Sequence, residues 1–278
     1  MIAESPAQLV LPFPLFAQAA AEAPVVLPTP TAVPSGPTVE DDRLRLCIEQ
    51  AGKDPTTSLA QASAWVAEAR GIGRSKPLEC LGQVLTVLAR WEAAETAFAD
   101  AAQAAPLSDP ARVAVLRAQA GNAALAGDKA ERALAQFDAA LAGTGLDPAA
   151  RGQIALDRAR ALVVLQRPAE AMEAIAAAQR DAPDEPLAWL LGATLARRGN
   201  DLAAAQRQIE VAGSLAPKDP DIGLEAGVIA VLGGRETAAR KAWESVQLVA
   251  PESAAAETAK SYLAQLGAAP PPKPAAGR

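Results

Sequence analysis

Cys47 and Cys80 are the only cysteines in a chain of 278 residues that contains no histidine. Two soft ligands without an imidazole fall short of a zinc site, and the lack of histidine excludes Ser-His-Asp and Cys-His nucleophile systems. What remains open to the two thiols is a disulfide or burial as small apolar groups. Neither follows a lipobox, since Arg-Leu-Arg-Leu precedes Cys47 and Lys-Pro-Leu-Glu precedes Cys80, so no lipid anchor is expected. The stretch Gly71-Ile-Gly73-Arg-Ser-Lys76 lacks the strand and the spacing of a nucleotide-binding loop and reads as a connector. Glu40, Asp41 and Asp42 stand where a helix begins, and negative charge there suits the helix dipole rather than acid–base work. No cluster of carboxylates or lysines converges elsewhere, so the chain reads as a non-enzyme without metal or cofactor.

The formal net charge of −6 argues against nucleic acid, whose phosphates demand a concentrated basic face. Alanine is the most frequent residue and only 3% of the chain is aromatic, a composition that favours helices over strands. No segment reaches the ~20 continuous apolar residues of a membrane-spanning helix. Residues 1–19 combine an apolar run, Leu9 to Phe16, with the small-residue spacing Ala17-x-Ala19 of a signal-peptidase site. Against that, Glu4 is negative, the first basic residue is Arg43, and prolines interrupt the run, so a cleaved export signal and an apolar tail both stay open. Residues 20–38, with Pro24, Pro28, Pro30, Pro34 and Pro37, read as a proline-rich disordered linker, and residues 267–278 as a similar tail.

The centre of the chain repeats itself. Five triplets place alanine, then a large residue four positions on, then a small one three further: Ala94/Phe98/Ala101, Ala133/Phe137/Ala140, Ala171/Ile175/Ala178, Ala205/Ile209/Ala212 and Ala239/Trp243/Val246. Twelve residues before each triplet stands glycine or alanine: Gly82, Gly121, Ala159, Ala193 and Gly227. Spacings of three, four and seven put each triplet on one helical stripe. Small residues at the crossing let two antiparallel helices approach, and the large residue fills the gap beside them. Pro106, Pro183, Pro217 and Pro251 end units, while Gly127-Asp128 and Gly199-Asn200-Asp201 mark turns within them. The repeating unit is a helical hairpin of about 34 to 39 residues.

These residues make the chain similar to the tetratricopeptide-repeat (TPR) family. The resemblance covers five repeats at about 75–108, 114–147, 152–185, 186–219 and 220–253, and the fourth keeps the family's early tryptophan as Trp189. Residues 41–71 are expected to add a helix pair and residues 252–266 a capping helix, giving a solenoid over 39–266. The fold that the resemblance implies is all-α, a right-handed superhelix of antiparallel helix pairs, with the first helix of each pair lining a concave groove. Carried over position by position, that groove offers Glu79, Gln83 and Thr86; Asn122 and Leu125; Leu156, Arg160 and Val163; Leu190, Thr194 and Arg197; and Leu224, Val228 and Val231. Asn122 and Arg160 fit the family's carboxylate clamp for chaperone tails, but Glu79 and Leu156 stand where its lysines belong. The groove is therefore expected to be polar at one end and aliphatic at the other, with Arg160 and Arg197 orienting a carboxylate on an apolar segment.

Cys47 and Cys80 lie 33 residues apart, close to one repeat, which places them alike on the first helices of neighbouring hairpins. Such helices pack ~8–10 Å apart, and a disulfide needs Cα atoms within about 7 Å, which facing residues meet. A disulfide pinning the N-terminal hairpin and a pair of buried thiols both remain open. The expected role is an interaction scaffold or adaptor for a peptide or protein segment, in the periplasm or cell envelope, with the cytoplasm as the alternative. A monomer or weak homo-oligomer is expected. A self-associating structural envelope protein, or the regulatory subunit of an enzyme, are the rival readings.

Overall fold

The computed structural model describes residues 38–266, and every regular element among them is helical. In chain order these are α1 (Val39–Ala51), α2 (Pro55–Glu68), α3 (Ser75–Val87), α4 (Trp91–Ala104), α5 (Pro110–Ala126), α6 (Ala130–Leu141), α7 (Pro148–Val164), α8 (Pro168–Asp181), α9 (Pro186–Arg198), α10 (Leu202–Leu215), α11 (Pro220–Leu232), α12 (Glu236–Val249) and α13 (Ala254–Leu266). A short 3₁₀ turn, Gly71–Arg74, leads into α3. The expected export signal and C-terminal tail lie outside the described residues, as does the expected linker except for its last residue, Thr38.

Local chemistry sets the helix ends. Thr38 closes a capping box with Asp41 at the start of α1. Four first helices open on an acid followed by proline: Asp109-Pro110, Asp147-Pro148, Glu185-Pro186 and Asp219-Pro220. Each acid accepts a backbone N–H that the helix leaves unpaired, and proline at the first position has no N–H to lose. The turns inside the hairpins are equally regular. Ala89, Asp128, Gln166, Asn200 and Gly234 all adopt positive φ, and the next residue's N–H donates back to a first-helix carbonyl, as in Lys129 to Ala124 at 2.9 Å and Asp201 to Ala196 at 2.9 Å. This is the Schellman closure of a helix, repeated once per hairpin.

Helices α3/α4, α5/α6, α7/α8, α9/α10 and α11/α12 pack as hairpins that stack in sequence, with α13 covering the end against α12 and α11. Every residue of the five triplets is at most 3% exposed. The glycines facing them are needed for space: a Cβ on Gly82 would stand 2.7 Å from the Phe98 ring, one on Gly121 2.6 Å from Phe137, and one on Gly227 2.0 Å from Trp243 Nε1. Where the facing residue is alanine, at Ala159 and Ala193, the large partner is isoleucine, Ile175 or Ile209, and both sides are buried. Volume is thus matched between the glycine–phenylalanine and the alanine–isoleucine crossings. On α13, Ala259 is buried and Leu263 and Leu266 pack on the Trp243 cluster, while Glu257 and Lys260 face solvent. Tyr262 of α13 meets the Trp243 ring at 5.1 Å.

Candidate functional site

The face built from the first helices is stitched by polar links between successive hairpins. Lys76 on α3 reaches Asp41 on α1 at 2.6 Å, and Arg112 on α5 pairs with Glu79 on α3. Asn122 Nδ2 on α5 donates to Asp157 Oδ2 on α7 at 3.1 Å, and Arg160 Nη1 donates to the other oxygen of the same carboxylate at 3.1 Å. Arg197 on α9 grips Glu225 on α11 with two bonds, Nε to Oε1 at 2.6 Å and Nη2 to Oε2 at 3.2 Å. Among the described residues, the seam between α7 and α9 carries no such link.

These pairings change the reading of the polar half. The carboxylates that orient Arg160 and Arg197 are the protein's own, Asp157 and Glu225. Arg197 is held through two donors on one edge of its guanidinium and keeps 21% of its side chain exposed, whereas Arg160 keeps 45%. Leu156, expected in the groove, is completely buried in the core because it packs with Ala155, Ala178 and Ala188. Gln83 is half-buried on α3 and Thr194 half-buried on α9. Trp189 is fixed by its Nε1–H, which donates to the Pro183 carbonyl at 2.9 Å, and Trp243 donates to the Leu224 carbonyl at 3.1 Å. Arg112, Asp157 and Glu225 do not figure in the sequence-based groove. Their signal is spacing: each lies 28 to 35 residues after its partner, about one repeat.

Burial dominates two of these carboxyls. It pushes Glu79 above the usual range against the pull of Arg112, and Asp157 above the usual range against Asn122 and Arg160. A carboxyl whose pKa is raised by folding costs stability while ionised, and the cost is relieved as pH falls through the folded value. Asp157→Asn, which keeps an acceptor for Asn122 and cannot ionise, is expected to melt higher than the parent at pH 7. The advantage vanishes near pH ~4, the ordinary aspartate value. Melting curves at the two pH values check this, and equal or lower melting at pH 7 contradicts it.

The other half of the face is apolar. Between α9 and α11 a recess of about 260 Å³ is lined by Leu187, Leu190, Leu191, Thr194 and Leu224, with Asp221 and Glu225 at its edge. A second recess of about 260 Å³, between α11 and α13, is lined by Val228, Val231, Leu232, Trp243, Tyr262, Gln265 and Leu266. Leu224, Val228 and Val231 follow at spacings of four and three, so one stripe of α11 connects the two. The capping helix thus contributes to the surface as well as closing the stack.

At the N-terminal end, Cys47 on α1 and Cys80 on α3 form a disulfide with Cα atoms 6.0 Å apart. Above it lies a cleft of about 810 Å³ lined by Val39, Arg43, Leu46, Gln61 and Trp65. Arg43 stacks its guanidinium over Trp65 at 4.4 Å. Among the described residues, no group of His, Cys, Asp or Glu is placed to hold a metal ion, and no helix is long and apolar enough to cross a membrane.

No family model matches the sequence, and no curated protein matches it in sequence. Solved structures share its architecture. PilW, described as a widely conserved type IV pilus biogenesis factor, superposes with a TM-score of 0.64 at 18% identity, over 80% of this chain and 98% of that one. PilF of Pseudomonas aeruginosa gives 0.62 at 14% identity, over 81% and 100%. YrrB, described as a TPR protein with an unusual peptide-binding site, gives 0.51 at 17% identity, over 78% and 97%. With the five matched triplets and the hairpin stack, these likenesses establish the fold: the chain is an all-α solenoid of the tetratricopeptide-repeat type.

Proposed function

We propose that the chain is a non-enzymatic scaffold that holds an apolar or amphipathic segment of another protein against the C-terminal half of its first-helix face. The observation that carries this reading is the connected stripe Leu224, Val228 and Val231 with an apolar recess on either side. Side chains at helical spacing fit such a pair of recesses as anchors. The peptide-binding site named for YrrB supports the same use of the fold. The polar half, whose charges are already neutralised by Arg112–Glu79 and Asp157–Arg160, sets the geometry of the stack rather than taking ligand. An envelope location fits the Cys47–Cys80 disulfide, since such bonds persist in oxidising compartments, and fits the pilus role named for PilW.

A photo-crosslinking amino acid at Leu224 in the native host tests the reading, with the exposed outer position Arg207 as control. Adducts with a different polypeptide are expected from Leu224 and not from Arg207, and Val231→Lys is expected to lower their yield about tenfold by placing a charge in an apolar contact. Equal adducts from Arg207 overturn the reading. Adducts only between two copies of this chain replace it with self-association.

A further inference from the structure

The edge of the solenoid formed by the hairpin turns carries a second surface. Taking the positive-φ residue of each turn as origin, the same positions recur at every seam between hairpins. At the first seam they hold Glu92, Glu95 and Arg132, and Arg132 binds both acids, at 2.9 Å to Glu95 and 3.4 Å to Glu92. At the second they hold Glu131, Arg167 and Glu170; Arg167 grips Glu170 within its own helix at 2.7 and 2.6 Å, and the pair fills the seam beside Glu131 of the preceding hairpin without bonding to it. At the fourth, Arg235 donates to Gln206. At the third seam the corresponding positions are Ala169, Met172, Asp201 and Ala204. Nothing long and charged bridges them.

The consequence is a cleft of about 570 Å³ between α7/α8 and α9/α10, walled by Val163, Met172, Leu195 and Ala196 with Ala169 and Ala204. Its size and apolar walls are those of a ligand site. Two charges stand at its mouth. One oxygen of the Asp201 carboxylate accepts the Ala204 N–H at 2.8 Å as the cap of α10. Arg198 is exposed and meets no carboxylate among the described residues. Among the described residues the mouth therefore offers one unpaired cation, Arg198, beside an apolar hole, with the Asp201 carboxylate set against the N-terminus of α10.

We infer that this cleft is an interaction site for a partner segment with one bulky apolar side chain flanked by acidic residues: the side chain fills the hole and a carboxylate takes Arg198. The fit is apolar packing for affinity and a charge-assisted hydrogen bond for orientation. The site is separate from the stripe on α11 and does not depend on it.

Methionine provides the reporter, because the chain contains only Met1 and Met172 and the second lines the cleft. The full chain carrying ¹³C-methyl methionine is titrated with the acetylated, amidated tripeptide Glu-Phe-Glu and followed by NMR. The Met172 methyl is expected to shift saturably with a Kd of the order of 1 mM. Glu-Ala-Glu is expected to leave it unmoved, and Lys-Phe-Lys to bind about tenfold more weakly. Arg198→Glu, at an exposed position, is expected to weaken Glu-Phe-Glu about tenfold with an unchanged circular dichroism spectrum, and to reverse the preference between the two peptides. An unmoved methyl, or equal binding of both charged peptides, overturns the proposal. So does a Met172 shift that changes with protein concentration before peptide is added, which would put a second copy in the cleft.

Discussion

Gly121→Ala destabilises the array by about 1–3 kcal/mol, and a second change, Phe137→Ile, recovers most of that loss. The added Cβ would stand 2.6 Å from the Phe137 ring, inside a crossing where Phe137 and its neighbours Ala133 and Ala140 are completely buried. Neither helix can retreat without opening its contact with the next hairpin. The remedy is written in the same chain: the third and fourth hairpins use alanine and isoleucine, Ala159 with Ile175 and Ala193 with Ile209, at the equivalent crossing. Phe137→Ile alone leaves a void and is expected to destabilise on its own. The two changes together restore the volume match, giving a favourable coupling of about 1–3 kcal/mol in a double-mutant cycle. Thermal and urea unfolding of the four proteins measure it. If the double variant is as unstable as the sum of the two singles, the crossings are not matched by volume.

That volume rule is also why the fold was legible in the residues. A crossing of two helices admits one large side chain only if its neighbours are small, so the triplets had to recur with helical spacing wherever a hairpin formed. All of their members are core. The first helices were harder to read because they are packed on several sides. Apolar residues run nearly all the way round α7, so periodicity does not separate Leu156, which is core, from Val163, which reaches the edge of the stack. Arg160 and Arg197 lie on first helices, and the pairing of Arg197 with Glu225 and of Asn122 with the Asp157 that holds Arg160 depends on the register between hairpins. The turns show another limit. Asn200 and Asp128 are residues that tolerate positive φ, whereas Ala89 and Gln166 are not, and only the backbone bonds of the Schellman closure hold them there. The cleft at the third seam comes from what Ala169 and Ala204 fail to supply, and it shows only once the turns are aligned in space.

Removing the disulfide with Cys47→Ser is expected to release α1 while leaving the rest of the stack folded. Helix α1 buries only Leu44 and Ala51 fully. Its polar and covalent ties are the Asp41–Lys76 ion pair at 2.6 Å with the Lys76–Thr38 bond beside it, the exposed Arg43–Glu68 pair at 3.7 Å, the Arg43–Trp65 stack and the disulfide. The Lys76 ammonium holds the Asp41 carboxyl well below the usual range. That tie is therefore present above the ordinary aspartate value of ~3.9 and is lost as pH falls through the depressed one. Closing the loop between residues 47 and 80, a separation of 33, is worth about 4 kcal/mol in chain entropy. Two exposed ion pairs and one cation–π contact, at about 1 kcal/mol each or less, do not replace it. Hydrogen exchange should therefore become fast across Val39–Ala51 and stay slow across α5 to α12, with the main melting transition unmoved. Retained protection in α1 would mean that packing, not the bond, holds it. The same dependence bears on where the protein works, because a lock of this size has value only where thiols stay oxidised. Alkylating thiols before lysis of the native host and weighing the intact protein separates the cases. Two blocked cysteines accord with an exported scaffold, and two labelled ones would return the chain to the cytoplasm with α1 loose.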